Sequence, residues 1–328
     1  MTSINTNTSA MTALVTLQNT NAMMETTQNR ISTGLRISSA ADNAAYWSIS
    51  ATMKSDNSAL STVKDALGLG AATVDVAYTA MESATSLVTE IKSKLVAARQ
   101  PGVDRAKVQN EIGQLQEQLR SVSNSASFSG ENWLAVDSSA TGYSSDRDIV
   151  SSFSRAPDGT VTTGLIKIDI DDFKLTDGTL IAAANDDRGI LDKETGATQN
   201  GTAGDPNAKS TGTYAAGLTS GKSVLNFTIS ATTLDADMDV LIQEISTAEQ
   251  SMITQTASLG SARNRINLQN DFVTSLMDAI DRGVGQLVDA DMTEESSKLK
   301  ALQVQQQLGI QSLSIANANA QNILALFR

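Results

Sequence analysis

The chain has 328 residues, 36 of them acidic and 24 basic, and it contains no cysteine and no histidine. Disulfides, zinc sites built from Cys and His, cysteine nucleophiles and Ser-His-Asp triads are therefore excluded. A net charge of −12 without any basic run argues against binding to nucleic acid or to an anionic membrane. No paired carboxylates, metal-ligand spacing or nucleophile–base pair stands out, so we predict neither an enzyme nor a cofactor.

The first 40 residues predict a helix that carries almost no charge. Of these residues, 21 are Ser, Thr, Asn or Gln and only three are charged. A helix with an apolar stripe and an uncharged polar remainder is suited to being enclosed by protein, where a charge would be costly. The segment lacks the basic start and the apolar stretch of a signal peptide, which on composition alone favours a cytoplasmic protein. The stripe consists of Leu14, Leu17, Met24, Ile31 and Leu35.

Residues 44–135 predict a long helix followed by a shorter one. Apolar residues recur every seven positions in the first, which is the spacing of a left-handed coiled pair or bundle. The small residues Gly70, Ala77 and Ala84 would let a neighbouring helix approach closely. Pro101-Gly102 then breaks the helix, and a second repeat predicts a helix folded back on the first. The long repeat consists of Met53, Leu60, Leu67, Val74, Met81, Val88 and Leu95, and the short one of Val108, Ile112, Leu115, Leu119 and Val122.

Residues 136–228 are rich in Gly, Asp, Thr and Ser and predict a small, loop-rich insertion. A calcium site is conceivable at its acidic clusters, but EF-hand spacing is absent and solvated loop charge is the preferred interpretation. The clusters are Asp169, Asp171 and Asp172, and Asp186, Asp187 and Asp192. The candidate strands are 159–163, 165–170, 179–182 and 224–229.

Residues 229–328 mirror the first part of the chain. A second seven-residue repeat predicts another long helix over 229–288, and residues 301–327 of the final segment carry no charge. Two long repeats from opposite ends suit an antiparallel bundle, while the uncharged ends suit contact with other copies of the chain. The repeat consists of Met238, Ile245, Met252, Leu259, Ile266, Val273, Ile280 and Leu287, and the apolar residues of the last segment include Leu302, Leu313, Ile323, Leu326 and Phe327.

Three stretches resemble the signatures of bacterial flagellins. Residues 29–45 (NRISTGLRISSAADNAA) are similar to the N-terminal signature, and residues 259–266 (LGSARNRI) and 317–328 (NANAQNILALFR) to the C-terminal ones. The pair Tyr46-Trp47 and the compact middle look like flagellins of alpha-proteobacteria. The resemblance covers roughly 1–135 and 230–328.

The resemblance implies a filament subunit that leaves the cell unfolded through the flagellar type III apparatus, which reverses the cytoplasmic prediction. It implies a mainly α fold, with long antiparallel helical rods from both ends and a small β- and loop-rich inserted outer domain. The implied partners are other copies of the chain, other flagellins, an export chaperone at the C-terminal segment, and hook-junction and cap proteins. The predicted domains are an inner core (1–43 and 289–328), a rod (44–135 and 229–288) and the outer insertion (136–228).

Four charged or aromatic positions keep two interpretations each. Arg30, Arg36 and Asp42 either lie in a solvated turn or, as the resemblance favours, pair between subunits, because a charge in an uncharged zone needs a partner. Trp47 is either a core anchor or an inter-subunit one. Alternative functions are a hook–filament junction protein and, less favoured, an enzyme or a generic coiled-coil adaptor.

Many flagellins are recognised by a Toll-like receptor through a rod-helix motif resembling LQRVRELAV. The corresponding stretch here is residues 88–96 (VTEIKSKLV). Glu90 replaces an arginine with the opposite charge, Lys92 keeps the charge of the other arginine, and Lys94 replaces an apolar leucine. We therefore expect weak recognition by this receptor.

Overall fold

The computed structural model describes residues 7–138, 140–177, 189–192 and 223–326, with side chains up to residue 318. Five helices carry most of the chain, so the mainly α prediction is confirmed. The helices are α1 (Thr8–Thr33), α2 (Ala44–Ala98), α3 (Arg105–Ser125), α4 (Asp235–Val288) and α5 (Met292–Leu326). The strands are β1 (Ser127–Phe128), β2 (Glu131–Asn132), β3 (Ala135–Val136), β4 (Asp146–Arg155), β5 (Val161–Asp169) and β6 (Thr176–Asp177). Within these ranges, no helix combines the length and apolar character that a membrane crossing requires.

The chain divides into two compact units. The first comprises Met1–Ala59 and Ser275–Arg328, and the second Leu60–Thr274. Both divisions fall inside a long helix, α2 or α4, so each of these helices contributes residues to both units. The five predicted domain segments remain a prediction.

The second unit is built on the two seven-residue repeats. Leu67, Val74, Met81, Val88 and Leu95 of α2 are completely buried, and Leu60 is 3% exposed. On α4, the members of the repeat from Met238 to Val273 are at most 1% exposed. Three repeat residues that belong to the first unit, Met53, Ile280 and Leu287, are half-buried. Burying one residue of this size contributes about 1.5–3 kcal/mol, so the seams are the main stabilising feature of the bundle.

Ion pairs between α2 and α4 show that the two helices run antiparallel. Arg263 Nε lies 2.5 Å from Asp75 Oδ1, and Lys92 Nζ lies 2.6 Å from Glu249 Oε2. Arg99 Nε donates to Asp239 Oδ1 at 2.8 Å near the far end. The residue numbers rise on one helix as they fall on the other, which fixes the direction.

Helix α2 ends three residues before Pro101, and α3 folds back after the turn. Asp104 caps α3 by accepting from the backbone N–H groups of Ala106 and Lys107. The buried face of α3 is Ile112, Gln116, Leu119 and Ser123. Of the predicted short repeat, Val108, Leu115 and Val122 are only half-buried, because two polar residues share the buried face.

Strand β4 pairs antiparallel with β5, with Ile149 opposite Ile166 in the hairpin. The Ile149 Cγ2 atom lies only 2.6 Å from where a Cβ on Gly70 would stand. Gly70 therefore leaves room for the side chain of Ile149 on β4. The expectation that it lets a neighbouring helix approach closely is wrong at this position. β5 overlaps the predicted strands at 159–163 and 165–170, whereas β4 was not predicted from the sequence.

Residues 224–229 form a turn and an irregular segment, so the strand predicted there is wrong. Side chains of α3 satisfy the backbone in place of a neighbouring strand: Gln116 Nε2 donates to Val224 O at 3.0 Å and to Phe227 O at 3.2 Å. Gln109 Oε1 accepts from Ile229 N at 2.7 Å. The alternating apolar side chains are buried against α3. The strand predicted at 179–182 lies outside the described residues.

Candidate assembly surface

Helices α1 and α5 pair antiparallel in the first unit. At the N-terminal end of α1, Asn7 Nδ2 donates to Ala316 O at 2.9 Å. Near the middle of α1, Gln306 Nε2 donates to Asn21 Oδ1 at 2.8 Å. At the other end, Arg30 Nη1 donates to Glu295 Oε1 at 3.0 Å. These contacts span the pair from one end to the other and set its register.

Threonines occupy the most buried positions of α1. Thr20 is 4% and Thr27 1% exposed, whereas Leu17, Met24 and Ile31 are half-buried. The five residues follow the alternating spacing of three and four that a paired helix uses. The Thr20 hydroxyl donates to Thr16 O at 2.9 Å, which removes the cost of burying it unpaired. Because the prediction considered only apolar residues, it missed both threonines, although the spacing contains them.

On α5, Leu302 is 4% exposed and Leu313 is half-buried. Gly309 lies against α1, where a Cβ would come within 3.3 Å of Leu17 Cδ1. The side chains of Ile323 and Leu326, and Phe327 as a whole, lie outside the described residues. Their predicted part in assembly stays a prediction.

Arg30 and Glu295 form an ion pair at the end of this helix pair that carries its few charges. Glu295 is 7% exposed, and its Oε2 atom has no hydrogen-bond partner among the described residues. The Arg30 side chain is 28% exposed. The structure thus supplies a partner for Arg30 within one copy.

A broad apolar surface remains open to water on α1 and α5. No charged residue occurs in 8–24 or in 301–326. Leu14, predicted as part of the apolar stripe, is 45% exposed. Large exposed apolar patches mark interaction surfaces. The exposed members are Met11, Leu14, Val15 and Met23 on α1, and Val304, Leu308, Ile310 and Ile315 on α5.

The segment after α1 contacts the end of α4 and the link between α4 and α5 through backbone hydrogen bonds. Gly34, at φ +72°, ends α1 in the left-handed conformation, and its carbonyl accepts from Ala290 N at 2.9 Å. Arg36 N and Ile37 N both donate to Val288 O, and Leu35 bridges Asp289. The exposed Arg36 side chain donates to Leu287 O at 2.9 Å, so its partner is a carbonyl and not a carboxylate.

Asp42 closes the turn that precedes α2. Its Oδ2 atom accepts from the backbone N–H groups of Ser39 and Ser38, both at 3.0 Å, and from both hydroxyls. The backbone N–H groups of Ser39 and Ser38 lower the pKa of Asp42 below its usual 3.8. Asp42 therefore holds a local turn together within one copy.

This lowered pKa predicts a pH-dependent effect of substituting Asp42. The carboxylate stabilises the turn above pH 3.8 and loses that contribution as the pH falls through its lower folded pKa. We expect Asp42→Ala to lower the thermal midpoint at pH 7 and to differ much less from the unmodified chain near pH 2. The exposed Glu25 on α1 provides a control, Glu25→Ala. An equal difference at both pH values would contradict the role of the carboxylate.

Trp47 and Tyr46 are 42% and 44% exposed. Trp47 therefore does not anchor a core within one copy, and that interpretation is wrong. Its contact with another subunit stays a prediction.

The receptor-motif residues lie on the second unit. Lys92 pairs with Glu249, and Lys94 Nζ lies 2.6 Å from Glu111 Oε2 on α3. Glu90 is exposed. Both lysines are therefore engaged in contacts within the bundle.

The first acidic cluster lies beside a buried ammonium group. Lys174 is 2% exposed, and its Nζ lies 3.0 Å from Asp171 Oδ1 and 3.4 Å from Asp177 Oδ2. Tyr143 donates to Asp171 Oδ1 at 2.6 Å. In the part of the chain that the structure describes, no group of three or more acidic residues could hold a metal ion. Asp192 accepts from Asp177 N, while Asp186 and Asp187 lie outside the described residues.

Comparisons with known proteins match almost the whole chain. Residues 4–138 match the family model for the bacterial flagellin N-terminal helical region, and residues 242–327 match that for the C-terminal helical region. The chain is 49% identical to flagellin C of Rhizobium meliloti strain 1021 and 44% identical to flagellin A of Rhizobium meliloti. It is 40% identical to a flagellin of Brucella melitensis biotype 1. Each of these matches covers 100% of both proteins.

Proposed function

The chain belongs to the bacterial flagellin family and is a structural subunit of the flagellar filament, and on that basis we propose that copies join through the exposed faces of α1 and α5. The observation that carries this proposal is the apolar surface on both helices, over segments that contain no charge. Contact with another copy would remove this surface from water without burying an unpaired charge. The alternative of a hook–filament junction protein receives no support from the family models or from the three relatives.

Removing the end of α5 tests this proposal. We expect a chain that lacks Gln311–Arg328 to stay soluble, to keep the helicity of α2, α3 and α4, and to form no filaments. Electron microscopy with seeds reads out assembly, and circular dichroism reads out helicity. Filaments of normal length and yield would contradict the proposal.

A point variant tests the surface itself. Leu308 is 58% exposed, so Leu308→Asp leaves the single copy folded but places a charge on the proposed contact. The matched control is Lys298→Asp, at an exposed position of the same helix. We expect assembly to fail only in the first variant.

Export and the other flagellar partners extend this proposal. We propose that the unfolded chain passes through the flagellar type III apparatus, where the absence of cysteine spares it a disulfide that could obstruct a narrow channel. An export chaperone would cover the exposed apolar side chains near the C-terminus, such as Ile310 and Ile315. Hook-junction and cap proteins, and other flagellins, would meet the same terminal helices. The inner-core, rod and outer-domain boundaries predicted from the sequence belong to this proposal.

Poor activation of the Toll-like receptor is a further expected result. Glu90 presents the wrong charge, and Lys94, which pairs with Glu111, stands where an apolar anchor is needed. Each change costs about 2 kcal/mol at an interface hot spot, so together they weaken binding by orders of magnitude. Restoring Glu90→Arg and Lys94→Leu together should raise the response of reporter cells. A dose curve for the unmodified monomer that equals that of an enteric flagellin would refute this expectation.

A further inference from the structure

An exposed apolar knob projects from α4 in the second unit. Leu268 is 70% exposed and Phe272, one turn later, is 58% exposed. Arg265 lies one turn before Leu268, is exposed, and forms no ion pair within the described ranges. We call Leu268 and Phe272 the knob. Two large apolar side chains side by side in water, next to an unpaired cation, form a surface suited to a partner with a pocket and a negative charge.

A groove of about 320 Å³ lies between α2 and α4 in the same unit. Tyr78 and Glu82 line it from α2, and Ile253, Ala257 and Gly260 from α4. Gly260 faces Tyr78 in the groove, where a Cβ would stand in ordinary van der Waals contact with Tyr78 Cε2, at 3.5 Å. Ile253 is 46% exposed at the groove wall. The groove is therefore lined by apolar surface, with an acidic side chain at its edge.

The knob and the groove lie on opposite sides of the buried seam of α4. At about 100° per residue, counted from the nearest seam residue, Ile253, Ala257 and Gly260 project about 100–160° to one side of the seam, and Leu268 and Phe272 project by the same angles to the other side. One copy cannot place its own knob in its own groove, because both belong to the same helix. They can fill one another only between two copies.

The charges beside the two surfaces are complementary. Arg265 lies one turn before the knob on α4. Glu82 lies at the edge of the groove, is exposed, and has no ion-pair partner among the residues that the structure describes. Each copy carries a net charge of −12, so two copies repel one another in general. A local pair of opposite charges would orient their encounter.

We propose that the knob of one copy inserts into the groove of a second copy, with Arg265 beside the partner's Glu82. The proposal rests on the function proposed above and adds a specific contact to it. Because the two surfaces differ, the copy that inserts its knob keeps a free groove, and the copy that receives it keeps a free knob. Such a heterologous contact extends into an open polymer or a ring, whereas a self-complementary contact stops at a dimer. Knob and groove are centred about 13 residues apart along α4, which offsets neighbouring copies by about 20 Å along the helix.

Charge reversal tests the pairing. All three variants change exposed side chains, so the monomers should keep their helicity and thermal midpoint. We expect Arg265→Glu and Glu82→Arg each to slow seeded filament growth about tenfold, and the chain with both changes to regain most of the original rate. Glu90→Arg, at an exposed position of α2 outside the groove, is the matched control and should grow normally. Unchanged growth of both single variants, or a double variant as slow as the singles, would overturn the proposal.

A cross-link provides a second measurement, because the chain has no cysteine of its own. Phe272→Cys copies mixed with Ile253→Cys copies should form disulfide-linked dimers when the filaments are oxidised, and neither variant should do so alone. Absence of dimers from the mixture would also overturn the contact. If Leu308→Asp abolishes growth while Arg265→Glu does not, the terminal-helix contact stands and only the knob and groove are wrong.

Discussion

Replacing Ile266 by aspartate should lower the free energy of unfolding of the second unit by about 3–5 kcal/mol. Ile266 is completely buried on α4 and belongs to the seven-residue repeat. The variant loses the transfer free energy of the isoleucine and places a carboxylate where water is absent. The carboxylate would have to remain unpaired or take up a proton, and both outcomes are costly.

Ser261→Asp is the control for this prediction. Ser261 is exposed on the same helix, so an equal charge there stays in water and should change the free energy of unfolding by less than about 0.5 kcal/mol. Urea denaturation of the soluble monomers, followed by circular dichroism, compares the two variants. Equal destabilisation would contradict the assignment of Ile266 to the buried seam.

The long helices were predictable because their pattern is strict. Every seventh residue of α2 and α4 is apolar over six or seven intervals, and the structure buries most of these positions. The exceptions, Met53, Ile280 and Leu287, lie in the first unit and are half-buried. Strict repetition carries a strong signal because only a paired helix keeps one face covered over such a length.

The seam between α1 and α5 was harder to predict because small and polar residues form it. Thr27 is 1% exposed although threonine is more often a surface residue. Threonine can serve there because its hydroxyl has acceptors within its own helix, as Thr20 shows with Thr16 O. The sequence indicated that these helices are enclosed by protein. The positions of the apolar residues alone did not indicate which face of α1 packs against α5.

The inserted region was predictable only in part, because its pairing depends on distant residues. Strand β4 (DRDIVSSFSR) has few β-branched residues and takes its place by pairing with β5 and by placing Ile149 over Gly70. Residues 224–229 are the reverse case: their alternating apolar pattern is typical of a strand, but they do not form one. Side chains of α3 satisfy their backbone instead, and no local pattern could reveal that.

The partner of Arg30 could also not be derived from the sequence. A charge in a neutral zone required a partner, but Glu295 lies 265 positions away along the chain. Other carboxylates near the end of the chain, such as Glu294, satisfy the charge requirement equally well. Only the register of α1 against α5 selects Glu295.

Removing Arg30 should therefore loosen the terminal helix pair. Arg30→Met leaves the carboxylate of Glu295 buried without a cation, and its Oε2 atom already lacks a hydrogen-bond partner among the described residues. Breaking a buried pair costs about 3–5 kcal/mol, and about 2–3 kcal/mol is expected here because the Arg30 side chain is 28% exposed. Hydrogen exchange of the backbone amides of α1 should report this loss as faster local opening.

The matched variant removes both charges. Arg30→Met combined with Glu295→Met keeps side chains of similar length and leaves no unpaired ion, so it should be much less destabilised than Arg30→Met alone. The difference between the single and double variants isolates the cost of the orphaned carboxylate from the loss of packing. Recovery in the double variant would show that the loss comes from the orphaned carboxylate and that the pair itself is not needed for stability. If both variants exchange equally fast, the effect of Arg30 comes from the packing of its aliphatic stem, and the charge pair does not hold the helices together.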